Sequence, residues 1–146
     1  MKTNNKDVCY YAAFNFPAFI YVTGRDSWPK FRGLYNKLTS LSDLQTMKTL
    51  SCSLHEIAKI LGTDLTDTDL LEIANKFLRH NNGEVRLGVM KNFHILLAEV
   101  PEDKRKNYIH FITQTFNEAG NDWRTKEMLA KNLGKFATLF DQNIVY

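Results

Sequence analysis

A histidine and a glutamate in a helical stretch are the residues of this sequence that most resemble a catalytic motif. The segment HEIAK at 55–59 begins like the helix of a zinc protease, in which two histidines on one helical face bind the metal and the glutamate acts as a base. Position 59 is a lysine, so one of the two ligands is missing. His94 follows His55 by 39 residues, which a repeated structural unit explains without a shared ligand. We therefore predict neither a metal site nor a cofactor.

The two cysteines, Cys9 and Cys52, have neither the pairing of a disulfide framework nor the spacing of a zinc site. Cys52 lies between Leu50 and Leu54 in a helical pattern with no base beside it, so we predict a buried small side chain rather than a nucleophile. The sequence has no glycine-rich phosphate loop, and capping accounts for the carboxylates in the first turns of its helices. We predict a protein that is not an enzyme. This cysteine usage indicates a reducing compartment, and we expect cytoplasmic localisation, with the nucleus as the alternative.

Composition places the chain among globular proteins of one domain. It has 146 residues, of which 44% are hydrophobic and 24% charged. The net charge of +3 is too small to indicate nucleic-acid or membrane binding by itself. The longest apolar run, at 12–22, contains Asn15 and Pro17 and is too short to span a bilayer. We therefore expect no membrane partner.

A repeat of about 39 residues organises the chain. It aligns on one column of Asx residues, Asn5, Asp43, Asn82 and Asp122, at spacings of 38, 39 and 40. An Asx side chain at the N-cap of a helix accepts a backbone hydrogen bond worth about 1 kcal/mol, so the column predicts four helix starts. A column of Val8, Thr46, Val85 and Thr125 follows. Four apolar columns then recur at helical spacings of 4, 3 and 4. They are Ala12, Leu50, Val89, Leu129; Phe16, Leu54, Phe93, Leu133; Phe19, Ile57, Leu96, Phe136; and Thr23, Leu61, Val100, Phe140.

A second family of helices lies between these. Its columns are Phe31, Leu70, Ile109; Leu34, Ile73, Ile112; Tyr35, Ala74, Thr113; and Leu38, Phe77, Phe116. Two helices in a unit of this length are typical of HEAT and armadillo repeats. We predict an all-α HEAT-repeat solenoid of about three and a half helix pairs that forms a single segment over 1–146. Its helices cover about 6–23, 27–39, 43–61, 66–80, 82–99, 101–118 and 122–140, and 141–146 begins another.

Pro17 is unfavourable in the interior of the first predicted helix, because it removes one backbone N–H and crowds the carbonyl group of Ala13. We predict a kink at this position rather than the end of the first helix.

Two groups of residues remain as candidates for binding a partner. The first is the edge formed by the turns within the units, at 40–43, 80–84 and 118–124, which we call the ridge. The second is a column of basic residues that follows the helix starts. The partner-binding candidates are Asp43, Asn82, Glu84, Arg86, Asp122, Trp123, Arg124 and Lys126. Other bases of the column are Lys48, Lys91, Lys131 and Lys135. Two alternatives stay open, namely that Trp123 packs flat over the neighbouring turn and that the bases form a solvated helix face.

Several stretches resemble the repeats of the protein phosphatase 4 regulatory subunit 1 family and, more distantly, the scaffold subunits of protein phosphatase 2A. They are CYYAAFNFPAFIYVTGRDSWP (9–29), TMKTLSCSLHEIAKILGTDLTDTDLL (46–71), NGEVRLGVMKNF (82–93) and NDWRTKEMLAKNLGKFA (121–137). The resemblance covers about 5–140 and implies a non-catalytic regulatory or scaffold protein. It also implies a Ser/Thr protein phosphatase catalytic subunit as the partner, bound along the ridge, and a chain that forms part of a longer array.

Other functions of helical arrays are the alternatives. A nucleic-acid-binding array similar to the alkylpurine DNA glycosylases would carry a basic concave face, but 16 acidic residues nearly balance 19 basic ones here. A segment of a transport receptor or of a condensin-type protein is a further alternative. In each case the terminal helices have uncovered apolar faces, and we expect self-association through them.

Overall fold

The computed structural model describes residues 5–140, and its side chains from Lys6 onward. Nine α-helices and no strand are found in this range, which confirms the all-α class. The helices are α1 (Asn5–Thr23), α2 (Trp28–Thr39), α3 (Leu44–Leu65), α4 (Leu71–Leu78), α5 (Gly83–Met90), α6 (Phe93–Ala98), α7 (Glu102–Arg105), α8 (Ile109–Glu118) and α9 (Trp123–Ala137). The side chain of Asn5, which the expected cap requires, is not among the described side chains, and the expected helix start in 141–146 lies outside the described residues. No helix within 5–140 combines the length and the apolar character needed to cross a membrane.

Asx side chains cap three helices, as the repeat column predicts. Asp43 accepts a hydrogen bond from the Thr46 backbone N–H at 2.9 Å, and Asp122 accepts from the Thr125 N–H at 3.5 Å. The hydroxyl groups of Thr46 and Thr125 donate to the same carboxylates at 2.7 and 2.6 Å. Asn82 accepts from the Glu84 N–H at 2.9 Å. The Asp–Thr pairing explains why threonine stands in this column where the cap is an aspartate.

Several predicted helices are interrupted. The regular part of α3 ends at Gly62, whose φ of 79° and ψ of 179° are accessible to glycine. The predicted helix 66–80 starts with a π-helical turn at Thr66–Leu70, before α4. The predicted helix 82–99 divides into α5 and α6 at Asn92, whose φ of −128° is not helical. The predicted helix 101–118 divides into α7, a 3-10 turn at Lys106–Tyr108 and α8.

The helices that begin at the ridge contact one another in chain order. α1 packs on α3, α3 packs on α5 and α6, and α6 packs on α9. The other helix family lies beside them, with α2 on α3, α4 on α5 and α8 on α9. Gly88 of α5 permits close approach to α3, because a Cβ atom there would overlap Ser51 Oγ and lie 3.1 Å from Cys52 Sγ. This order of contacts is compatible with an α-solenoid.

The predicted apolar columns are buried in the middle of the chain and fail near its ends. Leu54 and Phe93 are fully buried, but Leu133 in the same column is 62% exposed. The buried stripe of α9 instead consists of Thr125, Leu129, Asn132 and Phe136. Val8, Phe19, Leu34 and Phe116 are exposed as well. Terminal helices have neighbours on fewer sides, and the helical period alone does not say which side those neighbours occupy.

Two further predictions concern single residues. Cys52 is exposed, so its predicted burial is wrong. The buried face of α3 includes Ser51, and Cys52, the next residue along the helix, points to a different side. α1 continues through Pro17, which confirms that the helix does not end there, whereas the predicted kink stays a prediction. The buried face of α1 includes Ala13, Phe16 and Ile20, one position away from the predicted Phe19.

Candidate functional site

The turn before α5 is fixed by Arg86. Its Nη1 donates to the carbonyl oxygens of His80 at 2.6 Å and Asn81 at 3.1 Å. Its Nη2 lies 3.3 Å from Glu118 Oε2, on the neighbouring turn. One guanidinium group therefore holds its own turn and links it to the next unit. This predicted site residue has an internal structural role.

A second ion pair, between Lys48 of α3 and Glu84 of α5, links the preceding units. The Lys48 ammonium group donates to Glu84 and lowers the pKa of that carboxyl group below its ordinary value. Together with Arg86–Glu118, this pair forms a ladder of alternating charges along the ridge. The ladder favours a fixed spacing of successive turns.

The capping carboxylates of the ridge stay ionised. Hydrogen bonds from the Thr46 hydroxyl and backbone lower the pKa of Asp43, and a hydrogen bond from the Thr125 hydroxyl is the main cause of the lowered pKa of Asp122. Both carboxylates are at the surface, so they present negative charge while they cap α3 and α9. Asp122 lines a surface groove of about 230 Å³ together with Arg86 and Glu118.

Aromatic and basic side chains meet at the α8–α9 end of the ridge. Trp123 is 65% exposed, and the Arg124 guanidinium carbon lies 5.6 Å from the centroid of its ring. Lys126 Nζ lies 5.0 Å from the ring centroid of Phe116. We call these four residues the Trp123 patch. Phe116 belongs to a predicted apolar column, so its exposure was not expected from the sequence. Only its position near the end of the array could have indicated a surface residue.

The base column divides into paired and unpaired residues. Lys131 pairs with Glu127 one helical turn earlier, at 3.1 Å. Within residues 5–140, Lys91 and Lys135 form no ion pair. Lys59, at the position where a zinc protease would have its second histidine, is likewise unpaired there. No group of three or more His, Cys, Asp or Glu side chains in that range is placed to hold a metal ion.

Further side-chain contacts connect the helices of the other family across successive units. Trp28 Nε1 donates to Asp69 Oδ2 at 2.7 Å, and Lys104 Nζ donates to Asp67 Oδ1 at 2.5 Å. Lys76 Nζ donates to the Thr39 carbonyl oxygen at 2.6 Å. These partners lie 37 or 41 residues apart, close to one repeat length. These contacts link successive units of the array on the side of the second helix family.

Comparison with known proteins identifies the family of this chain. Residues 12–116 match the family model described as the protein phosphatase 4 regulatory subunit 1 middle domain. The chain is 32% identical over 146 residues to serine/threonine-protein phosphatase 4 regulatory subunit 1 of Homo sapiens, and equally to those of Mus musculus and Rattus norvegicus. Each alignment covers 99% of this chain and 15% of the relative. No solved structure matches. The chain belongs to the protein phosphatase 4 regulatory subunit 1 family.

Proposed function

We propose that this chain is a non-catalytic HEAT-repeat segment that binds a Ser/Thr protein phosphatase catalytic subunit of the protein phosphatase 4 type and directs its activity in the cytoplasm. The observation that carries the proposal is the family match over 12–116, together with the names of the relatives, which are regulatory subunits. The contacts between successive helices and the repeat of about 39 residues support an α-solenoid. The chain spans 15% of the length of these relatives, so it would supply one part of a larger surface.

The ridge is the docking surface in this proposal, and the Trp123 patch is its anchor. Tryptophan and arginine dominate the binding energy of many interfaces, and Trp123 is exposed with Arg124 beside its ring. The remaining candidates, Asp43, Asn82, Glu84, Arg86 and Asp122, hold the turns by caps and ion pairs. A surface fixed before binding loses less conformational entropy when it binds. The ladder therefore supports affinity by holding the anchor residues in place.

The test is isothermal titration calorimetry, in which the purified catalytic subunit of protein phosphatase 4 is titrated into the purified chain. We expect Trp123→Ala to weaken binding by about thirtyfold, the effect of an interface anchor worth about 2 kcal/mol. Arg124→Glu should weaken it further. Leu133→Ala is the matched control, because Leu133 is a similarly exposed apolar residue on the same helix.

Circular dichroism of each variant checks that the helices are intact. If both ridge variants bind as tightly as the control, the Trp123 patch is not the anchor. If the unsubstituted chain does not bind at all, this segment is not the one that contacts the catalytic subunit.

The outer face of α1 supports self-association as a second kind of contact. Residues 8–23 include no charged side chain, and Tyr11, Phe14 and Tyr21 are 63%, 64% and 77% exposed. A helix that is apolar on all sides is normally covered. These three rings expose about 400 Å² per copy, so a symmetric pair buries about 800 Å² before Val8 and Val22 are added. That total approaches the area of about 1,000 Å² that a specific interface needs.

We therefore propose that two copies pair through α1. Light scattering after size exclusion should give the mass of a dimer, and Tyr21→Glu should give a monomer that is still helical. A monomeric mass for the unsubstituted chain at high concentration would rule the pairing out.

A further inference from the structure

A groove of about 480 Å³ crosses α3, α6 and α9 at the ends of these helices that lie away from the ridge. It is lined by Lys59, His94, Ile95, Ala98, Glu99, Gly134, Lys135, Thr138 and Leu139. Lys59 is 16 residues after Asp43, and Lys135 is 13 residues after Asp122. At the rise of an α-helix these separations place the groove about 20 Å from the ridge. The two surfaces can therefore be occupied at the same time.

The charge in this groove is mainly positive, with two lysines against one carboxylate. Lys59 and Lys135 come from opposite helices of the groove, and neither forms an ion pair within residues 5–140. Glu99 is the one carboxylate of the lining, and it accepts a hydrogen bond from the Thr63 hydroxyl at 3.3 Å. In the described part of the chain, unpaired bases converge here from α3 and α9. Charge of this kind favours an acidic ligand.

His94 is another lining residue of the groove. Its Nδ1 is buried and has no hydrogen-bond partner within the described residues, while its ring lies edge-on to Phe136 with the centroids 6.3 Å apart. Burial lowers the pKa of His94, and the positive charges of Lys135 and His55 lower it further. The lowered pKa leaves the imidazole mainly uncharged at pH 7, so the positive charge of the groove comes from its two lysines.

Small and apolar residues occupy the part of the groove between the lysines. Ala98 is exposed, and a Cβ atom added to Gly134 would meet nothing within 4 Å, so an incoming backbone has room there. Ile95 and Leu139 are partly buried and offer apolar contact. A ligand that matches this arrangement carries acidic groups on both sides of an apolar side chain.

We propose that this groove binds an extended acidic peptide, with carboxylates on Lys59 and Lys135 and an apolar side chain between them against Ile95 and Ala98. The occupant is a protein segment rather than a nucleic acid, because two free lysines on an apolar floor suit one or two carboxylates better than a long phosphate backbone. The binding site would be additional to the phosphatase contact at the ridge, and it does not depend on that contact.

The probe is a fluorescein-labelled nine-residue peptide in which aspartate and glutamate alternate with leucine, and binding is measured by fluorescence anisotropy at pH 7. Its control is the same peptide with asparagine and glutamine in place of the acids. We expect the acidic peptide to bind and the amide peptide not to bind. Raised salt should weaken binding, because it screens exposed charges.

Substitutions in the chain locate the site. Lys59→Gln and Lys135→Gln should each weaken binding about tenfold, the effect of losing one charge-assisted hydrogen bond. Lys131→Gln removes the same charge from α9 at a lysine already paired with Glu127, and it should leave affinity unchanged. Trp123→Ala should also leave peptide affinity unchanged, which separates this groove from the ridge.

Three results would overturn the proposal. They are equal binding of the amide peptide, unchanged affinity of both groove variants, and tighter binding of a labelled single-stranded oligonucleotide than of the peptide. Circular dichroism of the two lysine variants confirms that a loss of binding is not a loss of fold. Since neither lysine is buried, both variants should fold.

Discussion

Replacing Leu54 and Leu133 separately by alanine tests whether equivalent repeat positions are equally buried. Leu54 of α3 is fully buried, so truncating its side chain to alanine leaves a cavity in the hydrophobic core. Comparable substitutions in cores cost about 3–5 kcal/mol. Leu133 is 62% exposed, and alanine is the better helix former, so we expect a change within about 0.5 kcal/mol. The difference between the variants should thus be about 3 kcal/mol.

The assay is urea unfolding followed by circular dichroism at 222 nm, at a protein concentration low enough to exclude pairing through α1. The free energy of unfolding comes from linear extrapolation, and similar slopes in both variants show that the same surface unfolds. In a chain of this size, 3 kcal/mol corresponds to a drop in Tm of about 10 °C. Equal losses in the two variants would refute the reasoning, because they would require Leu133 to be as well covered as Leu54.

The other predictions concern a close contact, a cap and pH. Gly88→Ala should lower the free energy of unfolding by about 1–3 kcal/mol, because the added methyl group overlaps Ser51. A double-mutant cycle should show a smaller loss when Ser51→Ala is also present. Asp122→Ala should lower Tm at pH 7, because it removes the cap of α9. The difference in Tm from the unsubstituted chain should shrink below about pH 4. A carboxylate whose pKa is lowered on folding stabilises the fold only while it is ionised. The pKa of His94 is lowered on folding, so the unfolded chain binds the proton more tightly. Stability should therefore fall as pH drops below about 6.5, and His94→Gln should reduce that fall in unfolding experiments at pH 7.5 and 5.5.

Local features of the fold were accessible from the sequence. The caps at Asp43, Asn82 and Asp122 depend on hydrogen bonds to the next two or three residues, so their type and spacing suffice to predict them. The division of the fifth predicted helix at Asn92 depends instead on how α5 and α6 each pack on α3. Which side of a terminal helix is buried also depends on its neighbours, and Phe19 was misplaced for that reason.

The candidate site could be predicted only in part. Residue type and repeat position identified Trp123 as a binding candidate on the ridge but left open whether it packs over the neighbouring turn, and the structure shows its side chain 65% exposed. The pairing of Arg86 with Glu118 and of Lys48 with Glu84 joins residues more than 30 positions apart, so spacing within one helix could not reveal it. Lys59 lies off the apolar stripe, where a charged side chain is ordinary, and only the approach of α9 gives it a role.

The charge-free outer face of α1 has a consequence for the amount of this protein that a cell can hold. Chaperones and degradation enzymes recognise exposed apolar side chains, and Tyr21 and Val22 are 77% and 82% exposed. In the proposed pair each copy hides these side chains, whereas a copy that has dissociated displays them. We expect the lifetime of the protein to rise with its own concentration, because scarce copies are unpaired and are removed first.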